Sequence, residues 1–120
     1  MRILLAALMV YHGLAHSVGF AEAWQLVPQG PPYKTTILAG RLNLGDAGIR
    51  VTGILWLATG VAFLVAAIAA AVGLPWWDSF ALVIAVVSLL LCAVELPEAR
   101  LGLVINLAIV AMLVARAALD

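Results

Sequence analysis

The sequence predicts an all-α fold: a membrane-embedded four-helix bundle, antiparallel and up-down, with one long loop between the first and second helices. Three observations lead there. The chain of 120 residues is 67% hydrophobic and only 10% charged, whereas soluble domains are roughly 45–50% apolar and about 25% charged. Its apolar residues fall into four long stretches, each close to the roughly 20 residues that cross a bilayer core. Prolines and glycines concentrate in one connecting segment, which marks a loop. Lipid offers no partner for backbone polar groups, so four helices satisfy them most economically.

The first helix is expected over residues 3–20. Met1-Arg2 and the apolar run after it have the start of a removable signal, but the apolar character continues to Phe20, so the reading keeps it as a membrane helix. The second is expected over 47–72, with Asp46 as N-cap and the Gly73-Leu74-Pro75 breaker behind it. A third runs over 76–96, with Trp76 and Trp77 as interface anchors. The fourth follows over 98–118, with Pro97 and Glu98 in its first turn and Arg116 in its last. Residues 21–45 hold Pro28, Pro31, Pro32, Gly30 and Gly40 together with Trp24, Tyr33 and Leu38. That apolar content opposes disorder and suits a segment folded over the bundle end. The whole chain, 1–120, reads as a single transmembrane domain of a multi-pass protein of the cell membrane.

Composition excludes other classes. Six basic residues balance six acidic ones, so no field draws nucleic acid. Cys92 is the single cysteine, and no intrachain disulfide forms. Small residues Ala81, Ala85, Ser88 and Cys92 recur at helical spacing, and Gly53 and Gly60 share one face; both patterns read as packing seams.

Polar residues gather at the end of the bundle that holds the long loop. His12 and His16 lie one turn apart in the first helix, near mid-depth, where an imidazole needs a partner. The rise per residue brings His16, Arg50 and Glu95 to one level, with His12 and Asn106 below, and puts Trp56 on the face of Thr52 and Thr59. The candidate ligand-binding residues are therefore His12, His16, Arg50, Trp56, Glu95 and Asn106, forming a polar pocket roofed by the long loop. No catalytic set is assigned; His12, His16 and Glu95 are the candidates for acid–base work on a lipophilic substrate. Structural readings stand beside these: the histidines and Asn106 as interhelical hydrogen bonds, Asp46 and Arg50 as a surface pair, Glu95 and Glu98 as interfacial partners of Arg100. The His12–His16 spacing also suits two ligands of one zinc or copper ion, a third coming from Glu95 or Cys92. The favoured reading assigns no metal and no identified cofactor.

The motif Tyr11-His12-Gly13-Leu14-Ala15-His16, the proline-bearing loop and three closely linked helices resemble the DoxX-like group of small four-span bacterial membrane proteins. Gly45-Asp46-Ala47-Gly48-Ile49-Arg50 with Gly53 and Trp56 looks like a branch of that group called simply small membrane proteins. The group's named member is associated with a quinol oxidase, and related four-span families include sterol isomerases with buried acidic and histidine residues. The resemblance implies a bundle with a polar pocket near the long loop. Three functions are expected in descending order: a pocket that binds a small lipophilic or redox ligand, a non-catalytic accessory or scaffold subunit of a membrane complex, and a small dimeric multidrug-type transporter. Partners are then the lipid bilayer, a small lipophilic ligand, and a second copy or a membrane subunit.

Overall fold

A computed structural model describes residues 1–120. It has four α-helices, α1 (Arg2–Ala23), α2 (Gly45–Val72), α3 (Trp77–Val94) and α4 (Arg100–Leu119), and each is long and apolar enough to cross a membrane. Between α1 and α2 lies a small antiparallel ladder of β1 (Thr36–Ile37) and β2 (Leu42–Asn43), with Thr36 opposite Asn43 and Ile37 opposite Leu42. The bundle measures 45 × 24 × 21 Å.

Small residues decide which helices touch, because they let backbones approach closely. The most extensive packing is between α1 and α2, and Gly13 and Gly60 face each other there. A Cβ built on Gly60 would stand 2.6 Å from the Gly13 carbonyl oxygen, and one on Gly13 would stand 2.8 Å from the Gly60 carbonyl oxygen. On α3 the expected seam of Ala81, Ala85, Ser88 and Cys92 is fully buried. Around these the core collects Leu5, Met9, Phe63, Ala66, Ala67, Ala70, Ile109 and Leu113. Aliphatic side chains such as Ile3, Val51, Ile68, Val83, Leu90 and Val104 cover the outside.

The two ends of the molecule are held differently. At one end Arg116 of α4 donates to Asp78 of α3 at 3.2 Å and lies 4.9 Å over the Trp77 ring, while the Arg2 guanidinium comes close to Gly73, the left-handed residue that ends α2. At the other end the Leu38 amide donates to the Val94 carbonyl at the end of α3, and Lys34 reaches Glu98 at 3.0 Å and Glu95 at 3.8 Å.

Several expected boundaries move. The first helix continues past Phe20 to Ala23, which brings Glu22 into its last turn. Asp46 does not cap α2: Leu44 occupies that position without a side-chain bond, and the Asp46 carboxylate accepts from the Tyr33 hydroxyl at 2.7 Å instead. Pro97 and Glu98 lie outside α4, which starts at Arg100. Turn hydrogen bonds from Ala99 to Glu95 and from Arg100 to Pro97 occupy the stretch between the helices. Trp77 is no interface anchor, since it is 3% exposed and covered by the Arg116 guanidinium. Trp76 is exposed.

Candidate functional site

His12 and His16 follow from the geometry of α1, where a spacing of four places two side chains on one face. That face is turned inward, and the rings are 2% and 1% exposed. Ser88 of α3 stands between them. Its Oγ lies 2.8 Å from His16 Nε2, 3.3 Å from His12 Nε2 and 2.8 Å from Asn106 Nδ2 of α4. Asn106 Oδ1 lies 3.1 Å from His12 Nε2, and Asn106 Nδ2 also reaches Cys92 Sγ at 3.5 Å. One polar cluster thus ties α1, α3 and α4 together.

The partners fix the protons. His16 Nδ1 lies 2.9 Å from the His12 carbonyl oxygen, which can only accept, so Nδ1 carries the hydrogen and Nε2 is a lone pair. The Ser88 hydroxyl then donates to His16 Nε2 and accepts from the Asn106 amide. Asn106 Oδ1 can only accept, so His12 donates through Nε2–H, leaving Nδ1 as its lone pair. Every polar atom of the cluster is then satisfied except one. His12 Nδ1 is the buried side-chain nitrogen without a hydrogen-bond partner.

Beside this cluster opens a cavity of about 710 Å³, within the range of small-molecule sites. Its inner end is formed by His12, His16, Cys92, Gly102 and Ile105, with Trp56 and Thr52 on the α2 side. The Trp56 and His16 rings stand 4.9 Å apart. Gly102 packs closely here: a Cβ there would strike Cys92 Sγ at 2.8 Å and touch His12 Cε1 at 3.6 Å. Tyr11, Val18 and Leu101, all exposed, line the side between α1 and α4, a pair that packs far less extensively than α1 with α2.

The loop end of the cavity is charged. Pro31, Pro32, Tyr33 and Lys34 form it together with Glu22, Glu95 and Glu98. Burial pushes the Glu95 carboxyl up from the ordinary carboxylate value, against the opposing pull of Lys34. Glu98, exposed and hydrogen-bonded by Lys34, is held below it. The Tyr33 hydroxyl is pushed up because it donates to Asp46.

Of the expected ligand-binding residues, the structure brings His12, His16, Trp56 and Glu95 to one cavity and sets Asn106 directly behind His12. Arg50 is not among them. It lies one position beyond buried Ile49, about 100° around the helix, and is exposed, with its guanidinium 5.5 Å from the Trp24 ring centre. Trp24 Nε1 in turn donates to the Arg50 carbonyl at 3.1 Å. No Asp46–Arg50 ion pair forms; the Asp46 carboxylate accepts from the Tyr33 hydroxyl. Glu95 and Glu98 pair with Lys34 rather than Arg100. Neither Glu95 nor Cys92 completes a metal set with the histidines: no group of three His, Cys, Asp or Glu is assembled.

Sequence reasoning assigned Ser88 to packing alone, although a hydroxyl four residues before Cys92, facing a helix with two histidines, is the signal that a hydrogen-bond hub was available. Lys34 and Glu22 were overlooked for the pocket. The placement of Lys34 depends on how the 24–44 segment folds back, which no periodicity announces, and that of Glu22 on α1 running past Phe20 to Ala23. Comparison of the chain with protein-family models, curated proteins and solved structures returns no match.

Proposed function

We propose that this chain is a small multi-pass protein of the cell membrane, an antiparallel up-down bundle in which the long loop between α1 and α2 roofs a ligand cavity. Supporting the arrangement, Lys34 and Leu38 of the loop meet the α3–α4 turn at one end, while Arg116 meets Asp78, and Arg2 meets Gly73, at the other. The function is binding of a small lipophilic or redox molecule. The observation that carries this is the cavity itself: about 710 Å³, bordered by exposed apolar side chains between α1 and α4. Hydrocarbon-soluble molecules enter such a seam without crossing water. Membership of the DoxX-like group is part of the same proposal and rests on the Tyr11–His16 motif and the loop layout.

A scaffold role has its own support. The closed Ser88 cluster joins three helices, and polar side chains serve as interhelical glue in membranes. The two roles fit together here, because the cluster spends its polar atoms on holding helices and borders the cavity with one ring edge.

The test is quenching of Trp56 fluorescence by n-bromodecane in lipid nanodiscs, with Trp56→Phe subtracting the other three tryptophans. Wild type should quench saturably. Ala15→Phe, which fills the cavity from an exposed position, should weaken this about fivefold without lowering thermal stability. Quenching that rises linearly and identically in both proteins removes the ligand-binding reading.

A further inference from the structure

The unpartnered atom defines what the ligand must carry. His12 is 2% exposed, and hydrogen bonds to Asn106 Oδ1 and Ser88 Oγ assign its hydrogen to Nε2. What remains at Nδ1 is a lone pair with no donor. A buried polar atom left in this state costs about 1–3 kcal/mol, and nearly all such atoms in native proteins find partners. The donors nearest in the cluster are already used: Ser88 on His16, Asn106 on Ser88 and Cys92, and His16 on a carbonyl. Gly102 stands beside the ring: a Cβ there would lie 3.6 Å from His12 Cε1, the carbon bonded to Nδ1, and both residues line the cavity. The other end of the same cavity adds more acceptors, the carboxylates of Glu22, Glu95 and Glu98, against the single cation Lys34.

We propose that the ligand is a lipophile bearing a hydroxyl group, admitted between α1 and α4 and donating its hydrogen to His12 Nδ1 at the inner end of the cavity. This rests on the cavity being a lipophile site, and it deepens that reading by naming the chemistry of the head group. A ketone, ester or ether of the same shape presents oxygen lone pairs to a lone pair and leaves Nδ1 unpaired. The site therefore selects a donor over an isosteric acceptor, a discrimination that apolar contacts alone cannot make.

The experiment compares n-decanol with its methyl ether as competitors of n-bromodecane in nanodiscs. It is paired with nitrogen-15 NMR of histidine-labelled protein, whose spectrum holds only two imidazoles. The alcohol should bind about tenfold tighter than the ether, in line with one satisfied buried acceptor, and should move the unprotonated His12 Nδ1 resonance upfield while the ether leaves it in place. His12→Phe should bring the two competitors to equal affinity. The NMR readout on wild type stands by itself if that variant does not fold. Equal binding of both competitors with an unmoved Nδ1 resonance overturns the hydroxyl assignment and leaves the lipophile site intact. Failure of both to displace n-bromodecane overturns the two together.

Discussion

Replacing Ser88 by alanine takes away a group that donates to His16 and accepts from Asn106, so two buried polar atoms lose their partner at once. Orphaned groups of this kind cost about 1–3 kcal/mol in water-soluble cores, and measured interhelical bonds in membranes average about 0.6 kcal/mol. Ser88→Ala should therefore destabilise by about 1–2 kcal/mol, read by reversible unfolding in mixed micelles, whereas Ser88→Thr keeps the hydroxyl but overfills a fully buried seam. Glu95 responds to pH in a definite direction. Burial raises its folded value above the ordinary one of 4.5, so between those two values the folded state binds more proton than the unfolded chain. Stability contributed by this group is then greatest below 4.5 and falls as pH rises through the folded value. Glu98 is shifted the other way by Lys34; its contribution is present above the ordinary value and is lost as pH falls. Glu95→Gln should raise the melting temperature at pH 7 and flatten its decline above pH 4.5 in a thermal scan; an unchanged slope would show that Lys34 already neutralises the burial effect.

Helices α1 and α2 meet where two glycines remove all side-chain bulk, and the atoms that a Cβ would strike are backbone oxygens that have nowhere to move. Gly60→Ala should separate the pair, costing about 1–3 kcal/mol or more, and the measurement is the same micelle unfolding. Gly40→Ala is a useful contrast: it meets open space and suffers only from the positive φ of that residue. The four apolar runs, the Gly53 and Gly60 face and the stripe from Ala81 to Cys92 were all legible in the sequence, because helical period and residue size alone decide them. So was the inward turn of His12 and His16, since imidazoles are expensive against lipid. Arg50 was misplaced because depth along a helix says nothing of its azimuth, and one position past Ile49 is enough to carry it outside. The charged end of the cavity was half legible: Glu95 came from its place beyond the small-residue stripe, whereas Lys34 depended on the path of the connecting segment and Glu22 on the extra turn of α1 to Ala23. The ends of α3 and α4 were drawn too long because Pro97 and Glu98 suit a first helical turn in general, and only the turn bonds between Glu95 and Arg100 rule that out here.

For the molecule as a whole, the basic residues are unevenly shared between the two ends. Lys34, Arg41, Arg50 and Arg100 belong to the loop end, against Arg2 and Arg116 at the other, and positive charge near spans is retained on the cytoplasmic side. A phosphatase or fluorescent reporter fused after Asp120 should accordingly register the non-cytoplasmic side; a cytoplasmic signal would reverse the orientation and turn the cavity outward. Helix length adds a second asymmetry. At about 1.5 Å per residue, the 28 residues of α2 extend about 42 Å and the 18 of α3 about 27 Å, beside a bilayer interior of about 30 Å. Helix α2 ends and α3 begins near Gly73 and Trp77, so the surplus of α2 lies at the loop end, where the Asp46 carboxylate meets Tyr33. In a bilayer crossed by all four helices, lipids along α3 would meet a shorter wall than those along α2, a mismatch relieved by tilting or by local thinning of the bilayer. A lopsided collar of that kind would favour the thinner of two membranes.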